Sequence, residues 1–311
     1  MAALLPNEIG PMSDGDFRMF SQLLREHCGL NFVADTRFLL EKRIERRMRQ
    51  RSITSHAAYH YALRSESRST GELAELVDEV TTNETYFFRE RRQLRALVEE
   101  IFPELLLQRR ERSGGPIAVW SAGCASGEEP FSIVMMALEA NLEPGRDFRV
   151  YACDISRSVL VKARRGLYRE ASFRDTDRSM RLHYFAEKDG LMRLSDEVKC
   201  HVDFVHMNLL DSAKTSLLGT MDVILCRNVM IYFDLQTRKK VIGTFHERLK
   251  PGGYLLLGHS ESLINVTSDF ELKHLSRDLV YRRPVPGEEV EDRWHALARA
   301  GVAEAERSEP T

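Results

Sequence analysis

Five places along the 311-residue chain carry side chains able to handle a charged ligand. The densest is Ser121-Ala122-Gly123-Cys124-Ala125-Ser126-Gly127-Glu128-Glu129, where small residues give way to two acids. Glycine accepts positive φ and removes the Cβ that would hold a ligand away from the backbone. Loops of this kind also make tight turns that bind nothing, so the glycines alone leave both readings open. Asp154, 27 residues after Gly127, ends an apolar run. An acid there can accept two hydrogen bonds from a ribose diol, or it can cap the helix that Ser156 begins. Asn208 and the pair Arg227-Asn228 end two further runs, and the second is followed by Tyr232. Arg89 stands beside Phe87 and Phe88 in TTNETYFFRERR (81–92), a segment that reads equally as a plain hinge.

The two acids separate ligand classes. Glu128 and Glu129 fall where a helix N-terminus would meet a diphosphate, which they would repel; they suit a cationic or zwitterionic nucleoside. S-adenosylmethionine, with its sulfonium and ammonium, is such a ligand. No G-x-x-x-x-G-K-[ST] phosphate loop is present, which counts against a nucleotide triphosphatase. In a methyl-transfer site, groups from the stretch LCRNVMIYFD (225–234) would lie over the transferring methyl.

Positioning these residues requires a sheet. Strand-like runs IAVW (117–120), FRVYACD (148–154), HVDFVHMN (201–208), MDVILCRN (221–228) and GYLLLGHS (253–260) alternate with helical patterns. They imply an α/β unit, a mostly parallel twisted sheet covered by helices on both faces. Its ligands sit beyond the carboxyl ends of the strands. FELKHLSRDLVYRR (270–283) would close the sheet with antiparallel strands. FAEKDGLMRL, with a turn at Lys188-Asp189-Gly190, predicts a hairpin in a small β-subdomain over about 168–200. Residues 14–80 show helical patterns only. Within them, Leu40, Ile44 and Met48 make an apolar stripe, while Arg43, Arg46, Arg47, Arg49 and Arg51 occupy the other faces. Five arginines exceed what Glu41 and Glu45 can pair, which favours a partner-binding face over an ordinary solvated one. An acidic protein surface fits better than DNA, because no second basic element appears.

A formal net charge of −2 gives no general push toward nucleic acid or membrane. No apolar run approaches the ~18 residues of a membrane span and no signal segment is evident, so a cytoplasmic protein is expected. Five scattered cysteines without a C-x-x-C pair argue against both a disulfide framework and a metal site. The Glu-, Ala- and Arg-rich segment 284–311 is expected to be a flexible tail.

Six blocks in order, TTNETYFFRE, VWSAGCASGEEPFSI, ACDIS, NLL (208–210), CRNVMIYFD and LKPGGYLLLGHSES, resemble the chemotaxis receptor methyltransferases, CheR. The resemblance spans most of 14–283. It implies an N-terminal all-helical receptor-docking domain (14–80), a linker contributing to the active site (81–92), and a Rossmann-like class I methyltransferase domain (93–283) with an inserted β-subdomain. The implied cofactor is S-adenosylmethionine, and the implied acceptors are glutamates on the cytoplasmic helices of chemoreceptors. By position, Asn83, Thr85, Arg89, Gly123, Glu129, Asp154, Asn208, Leu209, Arg227 and Asn228 would hold the cofactor. Arg89 would also orient the acceptor carboxylate, and Tyr232 would lie beside the methyl group. Arg43, Arg46, Arg47 and Arg49 would dock the receptor. Members that tether to a receptor C-terminal pentapeptide have a longer, glycine-containing loop than FAEKDGLMRL, so no strong tether is expected. The alternatives are a methyltransferase with a non-receptor substrate and a scaffold that binds S-adenosylmethionine without turnover.

Overall fold

The computed structural model describes residues 9–66, 71–112 and 114–287; the tail expectation beyond 287 lies outside the described residues. The chain begins as four helices, α1 (Asp14–Cys28), α2 (Arg37–Gln50), α3 (His56–Ser65) and α4 (Glu72–Val80). A Ser13–Asp16 capping box starts α1, and Gly29 in the left-handed region ends it. Leu40, Ile44 and Met48 of α2 are fully buried against Phe20, Leu24, Tyr59, Leu63 and Leu76, as the stripe predicts.

The arginines of α2 behave differently from the expectation. For Arg46 and Arg47 the acids come from α4, out of reach of any count along the helix itself, while Arg49 pairs with Glu45 within α2. Arg47 donates two bonds to Glu72, at 2.9 and 2.8 Å, and Glu72 also accepts from the Tyr59 hydroxyl at 2.7 Å. Arg43 donates to the Val80 carbonyl at 2.6 Å, and Arg46 pairs with Glu79. Arg47 is only 14% exposed at its side chain, against 54% for Arg46 and 68% for Arg49. Arg43 and Arg47, two of the expected docking residues, thus both hold α2 to α4.

After the linker come α5 (Arg91–Ala96), a π-helical turn (Leu97–Ile101) and α6 (Phe102–Arg112). The main sheet then builds from β1 (Ile117–Ala122), α7 (Glu128–Glu139), β2 (Phe148–Asp154) and α8 (Arg157–Arg165). An insert follows, comprising β3 (Leu167–Tyr168), α9 (Arg178–Tyr184), β4 (Phe185–Lys188), β5 (Leu191–Leu194) and α10 (Asp196–Lys199). The sheet resumes with β6 (Val202–His206), α11 (Ser212–Ser216), β7 (Met221–Cys226), α12 (Leu235–Arg248), β8 (Leu249–Leu257), β9 (Glu271–His274) and β10 (Leu279–Arg282).

The seven-stranded order is β6-β2-β1-β7-β8-β10-β9. Pairs from β6 to β8 are parallel, and β10 is antiparallel to both its neighbours. The chain leaves β1 toward one edge and returns on its other side at β7, so the strand order reverses between them, where such sheets bind ligands. Successive residues of β1 face opposite cores: Val119 packs with Phe131 and Phe148, Trp120 with Phe245 and Ile224. In the insert, β5 lies between β3 and β4, and the hairpin turns at Asp189 and Gly190, both at positive φ. Among the described residues, no helix is long and apolar enough to cross a membrane.

The helical domain closes over the carboxyl ends of the sheet strands. Leu30 bridges to Phe233, and the Asn31 amide donates to the Tyr232 carbonyl at 2.9 Å. Asp78 of α4 accepts from the first amides of α8, Arg157 at 2.8 Å and Ser158 at 3.3 Å, an N-terminal cap supplied across the junction.

Removing Glu72 strands a buried guanidinium and a buried phenol at once. Glu72→Ala is expected to destabilise the protein by about 3–5 kcal/mol in urea unfolding, whereas Glu45→Ala, which frees only exposed Arg49, shifts it by less than about 1 kcal/mol. Equal small shifts would contradict a structural role for Arg47.

Candidate cofactor and acceptor site

A cleft open to solvent lies at the strand-order reversal, where sheets of this kind bind small molecules. Every residue expected at the cofactor or the methyl group lines it: Asn83, Thr85, Arg89, Gly123, Glu129, Asp154, Asn208, Leu209, Arg227, Asn228 and Tyr232.

The loop between β1 and α7 forms one wall. Gly123 has φ +81° and packs so tightly that an added Cβ would sit 2.4 Å from Val229 Cγ2. Ala125 also takes positive φ, at 47°. Asp154 holds this conformation: one carboxylate oxygen accepts from the Ala125 amide and the other from the Ser156 amide, both at 2.8 Å. It braces the loop and the start of α8, and each oxygen keeps a lone pair for a hydroxyl. Burial raises its carboxyl above the ordinary range.

The two acids at the start of α7 have different fates. Glu128 is 2% exposed, accepts from the Ser126 and Ser172 hydroxyls at 2.7 and 3.1 Å, and is absent from the cleft wall. Burial raises its carboxyl too. The expectation of two carboxylates facing the ligand is corrected to one, because residue 128 turns toward the insert. Glu129 does line the cleft. It accepts from Ser121 Oγ at 2.6 Å and from Arg227 at 3.1 Å.

Arg227, at the end of β7, gathers the site. Its guanidinium is 2% exposed and donates to Glu129, to Glu90 at 3.0 Å and to the Arg89 carbonyl at 2.6 Å. Among the charged residues that line the cleft, Glu84, Glu129 and Asp154 stand against Arg89 and Arg227, a net formal charge of −1, which suits a cationic nucleoside. The linker is thereby pinned with Phe88 and Glu90 both at positive φ, 61° and 52°, around Arg89. Arg89 itself donates to the Glu84 carbonyl at 3.1 Å and stands 5.7 Å from the Tyr86 ring.

Opposite, Asn228 has φ 59° and opens the turn that carries Tyr232. Glu261 holds that turn, accepting from the amides of Asn228, Val229, Met230 and Ile231, and from Gly258, at 2.7–3.2 Å. Sequence reasoning passed over Glu261 and Glu90. The strand-end rule applied to β8 points at Glu261, and Glu90 adjoins Arg89 within the linker block. It also missed Cys28 and Leu30, which bring the helical domain into the cleft wall and which no pattern in the catalytic segment signals. Asn208 lines the cleft, but its amide group donates to the His27 carbonyl at 2.6 Å and accepts from Leu210 at 3.0 Å. Among the described residues there is no cluster of metal-ligating side chains.

These groups fit S-adenosylmethionine: carboxylates to accept from a diol and an ammonium, apolar Leu209, Met207 and Val229 for flat or aliphatic parts, and a glycine without a Cβ for close approach. Residues 83–278 match the family model described as CheR methyltransferase, SAM binding domain, and residues 15–81 match CheR methyltransferase, all-alpha domain. Chemotaxis protein methyltransferase 2 of Vibrio cholerae is 38% identical over 288 residues, covering 92% of this chain and 98% of that protein. The chemotaxis protein methyltransferase of Escherichia coli is 37% identical over 267 residues, covering 84% and 89%. That of Pseudomonas aeruginosa, numbered 1, is 31% identical over 278 residues, covering 87% and 98%. Matched through both its helical and its catalytic parts, the chain belongs to the CheR methyltransferase family.

Proposed function

We propose that the protein transfers methyl groups from S-adenosylmethionine to glutamate side chains on the helical cytoplasmic regions of chemotaxis receptors, giving methyl esters that serve sensory adaptation. The observation that carries this reading is the convergence of Arg89, Glu129, Asp154 and Tyr232 on one cleft at the strand-order reversal. The bound cofactor would supply a methyl group on a sulfonium. A glutamate carboxylate is already ionised near neutral pH, so no residue has to remove a proton. Alignment and exclusion of water carry the rate.

In this reading Asp154 and Glu129 take the ribose and amino-acid ends. Asn208 and Leu209 take the adenine side, Asn208 by its backbone because its amide group is engaged with His27 and Leu210. Arg227 and Asn228 border the methionine portion, with Gly123 giving close approach. Asn83 and Thr85 close over from the linker. Tyr232 stands beside the methyl, and Arg89 meets the incoming carboxylate. Residues 14–80 form the receptor-docking domain, 81–92 the linker and 93–283 the catalytic unit with its insert at about 168–200. Arg46 and Arg49, the exposed arginines of α2, steer an acidic receptor surface. No nucleic acid, membrane insertion or metal is involved, and a cytoplasmic location follows from that substrate. The β4–β5 turn is too short to hold a C-terminal receptor pentapeptide.

Incubation with receptor membranes and labelled cofactor should give base-labile methyl esters. Base-stable label, or cofactor binding with no transfer, would point respectively to another acceptor chemistry or to a non-catalytic binding protein. Reversing both exposed arginines (Arg46→Glu, Arg49→Glu) should raise KM for receptor about tenfold at low salt and leave cofactor affinity unchanged; an unaltered KM refutes the docking role. Calorimetry with a receptor C-terminal pentapeptide should detect no tight binding.

A further inference from the structure

The insert grips the two segments that shape the cleft. Phe87 of the linker is buried in an aromatic cluster with Tyr168, Phe173 and Phe185, at centroid distances of 4.7, 5.3 and 4.9 Å, and its amide donates to the Ser172 carbonyl at 2.9 Å. The insert also reaches the loop after β1, through Tyr168 to the Ser126 carbonyl at 2.8 Å and Ser172 to Glu128. Nearer the cleft, one side chain of the insert mirrors Arg89. The Arg174 guanidinium lies 3.7 Å from the Tyr86 ring centroid and donates to the Glu84 carboxylate at 2.9 Å. Arg89 uses the same two residues, the Tyr86 ring and the Glu84 carbonyl. Two guanidiniums thus share one phenol ring and one glutamate, and only Arg89 lines the cleft.

We propose that Arg174 is a positioning residue for methyl transfer: it fixes Glu84 and Tyr86, and these hold Arg89 toward the acceptor. This rests on the role given above to Arg89. A planar cation stacked on an aromatic face favours one placement of the ring, and so one orientation of Tyr86 and of the residues beside it. The insert then serves catalysis without binding any peptide. Arg174 is half exposed at its side chain, so its replacement leaves the core intact.

The test is a double-mutant cycle in the full chain, with hydrogen exchange of residues 84–90 read in parallel. Arg174→Ala should lower kcat for receptor methylation about tenfold, leave the thermal midpoint within about 2 °C, and speed exchange of 84–90. In an Arg89→Ala background it should cause no further loss. Losses that multiply, or a native kcat in Arg174→Ala, would overturn the proposal. If Arg89→Ala transfers methyl at the native rate, the reading of Arg89 fails by itself. The exchange data then decide, as they do if Arg89→Ala activity is too low to measure: faster exchange supports positioning of the linker by Arg174, and unchanged exchange overturns it.

Discussion

A single buried guanidinium organises this protein. Arg227 ends the central strand β7 in a place with almost no solvent, and a charge there persists only if anions and carbonyls replace its water. Glu129 comes from the first turn of α7, and Glu90 with the Arg89 carbonyl comes from the linker. Pairing its two terminal nitrogens therefore draws together three segments far apart in sequence. The linker, otherwise a connection between two domains, becomes part of the cleft floor.

The same economy recurs in the other acids. Asp154 and Glu261 are carboxylates whose partners are mostly backbone amides, and each stabilises a turn with a residue at positive φ, Ala125 and Asn228 respectively. Such conformations cost about 1–3 kcal/mol each for non-glycine residues and persist only where the surroundings over-determine them. Around the cleft, Phe88, Glu90, Ala125 and Asn228 all adopt them. Rigid turns with small or polar residues at their tips give a site that is shaped before a ligand arrives, which suits a reaction that depends on alignment more than on proton transfer.

Much of this was legible in the residue order. The parallel strands, the closing antiparallel pair, the hairpin turn at Asp189-Gly190 and the apolar stripe of α2 follow from periodicity and turn chemistry, which act locally. Strand-end polar residues pointed to Asp154, Asn208 and Arg227 because an open parallel sheet puts its strand ends at one edge. The direction of each side chain was less accessible. Glu128 and Glu129 are adjacent and chemically alike, yet consecutive helical residues lie about 100° apart, so one meets the cleft and the other the insert. The arginines of α2 looked unpaired because Glu72, Glu75 and Glu79 lie a whole helix later.

By itself, then, the sequence determined the class of fold, the order of its parts, and a ligand that is nucleoside-like and cationic, because these depend on local pattern and on residue type. Tertiary structure alone decided which charges are exposed. It buried Arg47 on Glu72 and left Arg46 and Arg49 exposed, engaged the Asn208 amide with the helical domain, and brought Cys28 and Leu30 to the cleft. It also joined Arg174 to Arg89 through Tyr86. Pairing between segments is set by how packed layers meet, and no spacing along the chain encodes that meeting.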